Sequence, residues 1–327
     1  MREEKEITGR CVTRREFLKR AAGVAAVGLV GAGSGSLLEE AFAASKPAKS
    51  RVVLVTHKKV LAEGWQMNLQ VLQEMMDEGM KKLTREKSAS AAWKKIVKPN
   101  DVVSIKWNEL GGPNIRSHQE LMDACAAAAR SVGVPEDKVL VWSRSQRVPD
   151  AYKGWSEEYK FPNGKSTKIG SVLDKHTTCL INLPVVKTHS STGFTCALKN
   201  HMGSNSNPGQ MHSWDSSPAP MWENIAYINN TPGIRRCTKL IIADATRPLF
   251  NGGPGDDPAF RWDYHTLVCG TDPVAVDRVC IDIVDEKRKA EGLPPADVGR
   301  KCVELAGQLG IGSYDLAKIE IVKLELA

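Results

Sequence analysis

The chain reads as an α/β protein with a mainly parallel sheet flanked by helices, either as one domain or in a two-lobed arrangement. Three observations predict this. From residue 51 onward, short β-branched apolar runs alternate with longer segments of helical periodicity. Residues 101–142 give strand, helix and strand in succession, the order of a right-handed crossover between parallel strands. Composition is ordinary for a globular protein: 327 residues, 42% hydrophobic, formal net charge +7.

Residues 1–43 stand apart from the fold. Thr13-Arg14-Arg15-Glu16-Phe17-Leu18-Lys19 resembles the twin-arginine export signal, a mild apolar segment follows at residues 21–32, and Ala41-Phe42-Ala43 offers a small-residue cleavage site. A membrane anchor is the competing reading. The apolar run is about a dozen residues against the roughly 20 that a span requires, and Gly23, Gly28 and Gly31 dilute it. The resemblance implies passage of a folded protein through the twin-arginine export machinery, often with a cofactor already loaded. It also implies a periplasmic or other extracytoplasmic location and no stable membrane span after cleavage. Residues 44–327 then form the α/β domain.

Residues 51–56, RVVLVT, are the first strand. Residues 64–84 set Trp65, Leu69, Leu72, Met76 and Met80 on one helical stripe, where methionine fills core. Residues 101–107 are the second strand. Ser117 and Glu120 have the spacing of a capping box for a helix over 118–132, which Gly133 ends. Residues 138–142 are a third strand, and residues 144–168 a polar excursion over the sheet edge. A buried strand over 178–186 delivers His189, and a helix lies around 221–228. Residues 239–243 form a strand ending at Asp244, and 266–269 a short one. Asp272 caps and Pro273 opens a helix to residue 290, the favoured placement of proline. A helix over 296–309 and a strand over 317–326 complete the chain.

The positive excess is small and unclustered, so nucleic acid is not a predicted partner and a small anionic ligand is favoured. Seven of the eight cysteines lie beyond the leader, none in a CxxC, and most sit in apolar runs as small hydrophobes. Zinc-ribbon and ferredoxin-type sites are unsupported.

In open α/β sheets, ligands collect at the carboxyl ends of strands. Four predicted strands end in polar residues: Lys106 with Asn108, Lys187 with His189, Asp244, and Thr271 with Asp272. In a parallel sheet these share one rim. The long polar loop within residues 181–215 adds Lys199, His201, His212 and Asp215. Neutral imidazole serves both proton transfer and metal ligation near pH 7, so His189 and His212 are candidates for either, with Asp244 or Asp215 completing a metal set. Lys199 has the chemistry to bind an anion, activate a carbonyl or carry a cofactor covalently. For His201 the plainer reading prevails, a hydrogen-bonded side chain on the far side of a helical turn. Gly252-Gly253-Pro254-Gly255 lacks the Lys-Ser/Thr of a P-loop, and neither GxGxxG nor GxSxG is present.

The ordered series Lys187-Thr188-His189, Ala197-Leu198-Lys199-Asn200 with Gly203, His212, Asp244-Ala245, Gly252-Gly253-Pro254 and Asp272-Pro273-Val274-Ala275-Val276-Asp277 resembles the DUF362 family. Ile105-Lys106-Trp107-Asn108 and His118 are similar to its N-terminal elements. Many relatives carry a ferredoxin-type insertion; this chain lacks those cysteines, so no iron–sulfur cluster is expected. A weaker likeness, through Lys187-Thr188-His189, Gly193-Phe194, Lys199, His212 and Trp222-Glu223-Asn224-Ile225, is to the lactate racemase family, which implies a lysine-bound metal cofactor. Where those racemases carry a catalytic histidine, this chain has Ser143-Arg144-Ser145-Gln146-Arg147, which speaks against two-base racemisation.

These readings predict an exported enzyme, isomerase-like or an oxidoreductase, acting on a small anionic, hydroxy-acid-like substrate with a divalent metal or metal-containing cofactor. His189, Lys199 and His212 would be catalytic, and Lys106, Asn108, His118 and Lys187 would bind substrate. His189, His212 and Asp244 would bind metal, with Asp272 on the same rim. The alternative is a non-catalytic periplasmic protein that binds or matures a metal or cofactor.

Overall fold

In a computed structural model of the chain, residues 49–62 and 66–327 are described. The export leader and Trp65 lie outside the described residues.

β-Branched and apolar residues at alternating positions build a sheet buried on both faces. Its strands run, edge to edge, β11 (Ile319–Leu326), β1 (Ser50–His57), β10 (Thr266–Gly270), β9 (Thr238–Leu249), β6 (Cys179–Leu183), β2 (Val103–Trp107) and β3 (Val139–Trp142). Successive side chains point to opposite faces, so Val53, Val55, Ile105 and Ile181 enter one core layer while Val52, Leu54 and Leu180 enter the other. The first layer is closed by helices α1 (Leu69–Thr84), α2 (Ala89–Ile96) and α3 (Gln119–Ser131).

The opposite face is covered by four short helices, α4 (Ala197–Asn200), α5 (Pro208–Met211), α6 (Met221–Asn229) and α7 (Pro232–Cys237), and two longer ones, α8 (Pro273–Ala290) and α9 (Asp297–Gln308). A separate hairpin, β4 (Trp155–Lys160) with β5 (Ser166–Gly170), occupies the predicted polar excursion. The described residues from Lys49 onward form one compact unit, not two lobes.

Along that edge-to-edge order most neighbours are parallel, with one inserted exception. β10 returns from β9 through residues 250–265 and lies antiparallel to both β9 and β1. Its carboxyl end therefore points to the rim opposite the other strand ends. This overturns the expectation that Asp272 shares the functional rim. Asp272 instead caps α8, accepting Val274 N at 2.9 Å and Ala275 N at 3.0 Å, and ties it to the start of β1 through Ser50 Oγ at 2.6 Å.

Three local expectations are also corrected. The strand delivering His189 breaks at Pro184 and resumes as β7 (Val185–His189), paired with β8 (Gly193–Thr195) and with the far half of β9, which runs past Asp244 to Leu249. Ser117 does not form a capping box: its hydroxyl donates to Leu183 O and accepts Asn108 N, while Glu120 accepts Met67 N. Leu69 is exposed at the first position of α1, whose buried stripe runs through Leu72, Met76 and Met80. All seven described cysteines are buried and unpaired, and no helix among the described residues is long and apolar enough to cross a membrane.

Candidate functional site

The carboxyl ends of β2 and β3 open into a cavity of about 470 Å³. Four cationic side chains line it, Lys106, Arg144, Arg147 and Lys199, against one carboxylate, Glu109. Glu109 is bonded by the Ser143 hydroxyl and by both arginines. Partial burial pushes its carboxyl up, but those partners outweigh it and hold the group below the usual range. The site therefore keeps an uncompensated positive charge, the condition for an anionic ligand.

Lys199 is the group that departs most from ordinary packing. It is 6% exposed and its ammonium has no hydrogen bond or ion pair among the described residues. Burial lowers its pKa to about 8. It rides on the single turn α4, and that turn is positioned from below by Asp277 on α8. The Asp277 carboxylate accepts Ala197 N at 2.7 Å and Leu198 N at 3.0 Å, satisfying the orphan donors of the helix start. Burial raises Asp277 to about 7. Its part here was not foreseen; the signal was its place five residues after a recognisable cap.

Lys106 lies in register with Asn182 on the neighbouring strand, and Asn200, the last residue of α4, bridges them. Asn200 Nδ2 donates to Lys106 O and to Asn182 Oδ1, while its Oδ1 accepts Lys106 Nζ at 3.2 Å. Lys106 also donates to Ser143 O at 2.9 Å and sits over the Trp142 ring. Burial takes its pKa to about 7. Gly203 permits this packing, since a Cβ there would lie 2.5 Å from Ser143 O and 3.2 Å from Lys106 Nζ.

The two predicted histidines present opposite chemical faces. His212 lines the cavity and donates from Nδ1 to Pro208 O at 2.6 Å, leaving the lone pair of Nε2 unbonded among the described residues. Burial lowers its pKa. His189 is buried, and its Nδ1 accepts Ser191 N at 3.2 Å, so the neutral ring carries its proton on Nε2. Burial, reinforced by the charges of Lys199, His212 and Lys187, lowers it to about 3 and keeps it neutral. The ring centroids are 6.5 Å apart. His189 lies beside the cavity and does not line it. His201, bonded to Ser204 Oγ at 3.2 Å and buried, has the structural place expected of it.

The remaining predicted residues form a supporting layer. Lys187, expected to bind substrate, is saturated by Asn108 Oδ1 at 3.1 Å, Ile115 O at 3.1 Å and Leu110 O; it ties down the loop after β2. Asn108 does line the cavity, with its Nδ2 donor unpartnered among the described residues. His118, also expected at the substrate, starts α3 away from the cavity lining, and its Nδ1 bonds Asp244 at 2.6 Å. Asp244 also accepts Thr246 N and Oγ1. Burial pushes its carboxyl up, but His118 and Thr246 outweigh it and hold the group below the usual range. Those bonds engage Asp244, and among the described residues no three His, Cys, Asp or Glu side chains are gathered to hold a metal ion. The set His189, His212 and Asp244 is thus not assembled. The glycine-rich turn after β9 is packing: a Cβ on Gly253 would lie 1.9 Å from Thr188 O.

Sequence reasoning missed Arg144, Arg147 and Glu109. Arg144 and Arg147 lie in a segment whose composition is that of any polar loop. No curated protein matches the chain. A crystal structure of a protein from Thermotoga maritima is similar at 12% sequence identity and a TM-score of 0.35, covering 76% of this chain and 61% of that one. The model of a domain of unknown function, DUF362, matches residues 149–282, a span that holds Lys199, His212 and Asp277. Residues 149–282 thus carry a DUF362 domain.

Proposed function

We propose that the chain is an enzyme that binds a small organic anion in this cavity and transfers a proton on it. Lys199 holds the ligand, with Arg144, Arg147 and the Asn108 amide as further donors. The Nε2 lone pair of His212 is the base, and His189, neutral with Nε2–H, is a donor beside it. The observation that carries the reading is Lys199, a buried residue lining the cavity whose ammonium has no protein partner among the described residues. A desolvated cation without a counter-charge is costly, and an anion entering the cavity relieves that cost. Calorimetric titration of small carboxylates into the protein tests this. Saturable binding lost in Lys199→Met supports it; no saturable binding, or binding indifferent to Lys199, rejects it. Solvent deuterium exchange into the bound ligand separates the enzyme from a non-catalytic carrier, which would bind without exchange.

The divalent site expected from His189, His212 and Asp244 does not fit the residues as arranged, and no step is routed through it. A lysine-bound metal cofactor does fit the free amine of Lys199 and the Nε2 lone pair of His212; when bound it would supply an electron-accepting centre. Intact mass and metal content of the natively produced protein test for it. An unmodified mass without stoichiometric metal removes it.

The motif around Arg14 and Arg15 supports export to an extracytoplasmic compartment. Cell fractionation of the Arg14→Lys, Arg15→Lys double variant is the test, and unchanged fractionation rejects export by this route.

A further inference from the structure

The cavity contains one amine that no acceptor among the described residues engages. Lys106 and Lys187 are as deeply buried as Lys199, but each is surrounded by carbonyl and amide oxygens that hold it as a donor. Lys199 lines the cavity with no such acceptor among the described residues. Its turn is fixed by Asp277, so the amine is held in place by the backbone without being engaged at its tip. An amine desolvated among other cations is the recurring environment of carbonyl-reactive lysine.

We infer that Lys199 forms an imine with a 2-oxo acid, the carboxylate of which is held by Arg144 and Arg147. This rests on the anion-binding reading and narrows it to one ligand class. Each arginine has guanidinium N–H donors left over after bonding Glu109, so a carboxylate can be bound at the cavity wall while the adjacent carbonyl meets Lys199. His212 Nε2, unbonded on the same cavity wall, takes a proton from the ammonium and makes the amine nucleophilic. The nitrogen lone pair then forms a C–N bond to the carbonyl carbon as the C=O π pair moves to oxygen, and that oxygen takes one of the two protons on the newly bonded nitrogen to give a neutral carbinolamine. The C–O bond breaks as His212 returns its proton, water leaves, and the C=N bond forms with one proton retained on nitrogen. Ammonium and oxo acid thus give iminium and water, with charge conserved and no further reactant. The lowering of Lys199 by burial puts the free amine within reach at neutral pH.

The test is borohydride treatment of the full-length protein with glyoxylate, pyruvate or 2-oxoglutarate in turn, followed by intact mass and peptide mapping. The expected result is one adduct for at least one of these acids, with the mass of the acid less one oxygen atom, on the peptide containing Lys199. The adduct should be absent with acetone, which lacks the carboxylate, and absent in Lys199→Arg. Mapping the unmodified sequence decides the matter even where that variant does not fold. Adducts spread over surface lysines, or none with any of the three acids, overturn the imine. Propionate, a carboxylate without the carbonyl, separates the two readings. Propionate binding with no oxo-acid adduct leaves the anion site standing and removes the imine, whereas absence of both removes both.

Discussion

Asp277 holds Lys199 in place without bonding to it. The carboxylate accepts the amides of Ala197 and Leu198, and the amine of Lys199, two residues along that turn from Ala197, has no partner among the described residues. Fixed backbone and an unengaged tip are what a reacting group requires.

Replacing Lys199 should therefore stabilise the fold while abolishing the site. Lys199→Met removes a buried cation and keeps the apolar stem, and is expected to raise stability at pH 7 by about 1–3 kcal/mol while weakening small-carboxylate binding at least about tenfold. Denaturant titration and calorimetry read the two effects. A variant that is less stable and binds normally contradicts this account.

Anion affinity should fall as pH rises. Burial holds Lys106 near 7 and Lys199 near 8, so the lysine cations that attract the ligand are lost through that window, while the guanidinium donors of Arg144 and Arg147 leave residual binding. Glu109 is ionised throughout. Stability without ligand moves the other way. Each lysine pKa lies below its unfolded value, so the folded protein binds fewer protons from about pH 7 to 10.5 and gains stability there. Pyruvate affinity and thermal midpoint measured at matched pH values check both slopes.

Asp277 carries the opposite linkage. Its folded pKa, about 7, lies above the ordinary 3.8 because of burial, so its contribution to stability is lost as pH climbs between those values. Asp277→Ala should cost about 1–3 kcal/mol through the two orphaned amides and displace Lys199. Asp277→Asn, which keeps an acceptor, should retain part of the stability and lose its pH slope over that range. The yield of the borohydride-trapped adduct, compared between the two variants, distinguishes positioning of Lys199 from bulk destabilisation.

Two glycines of the cavity wall should respond differently to alanine. At Gly203 the new methyl overlaps Ser143 O and presses on Lys106 Nζ, so Gly203→Ala should destabilise by about 1–3 kcal/mol and weaken anion binding. At Gly209, within α5, nothing lies within 4 Å of the methyl, and Gly209→Ala should be neutral or mildly stabilising. Paired melting and binding curves test the contrast.

Much of the layered fold was legible because its signals are local. The run Val52-Val53-Leu54-Val55 reads as a strand buried on both faces, and Asp272-Pro273 reads as a helix start. Strand direction is not local: nothing in Thr266–Gly270 records that its neighbours run the other way, and so Asp272 was assigned to the wrong rim. The site shows the same division. Lys199 and His212 were visible as titratable residues in a long loop, and they line the cavity. Lys187 looked equivalent to Lys199, but what separates them is the ring of acceptors supplied by residues 108–115, remote in sequence. Arg144 and Arg147 acquire meaning only from Glu109 across the cavity.

The placement of β10 and β11 on either side of β1 has a consequence for how the molecule is made. β1 is among the first described segments to be synthesised, yet both of its sheet neighbours come from residues 266–326. Until the ribosome has released that stretch, an eight-residue strand with an apolar centre at residues 52–55 lacks the partners it has in the sheet. Completion of the sheet thus waits on residues 266–326, and chains arrested or clipped before residue 266 would expose β1 to chaperones and proteases.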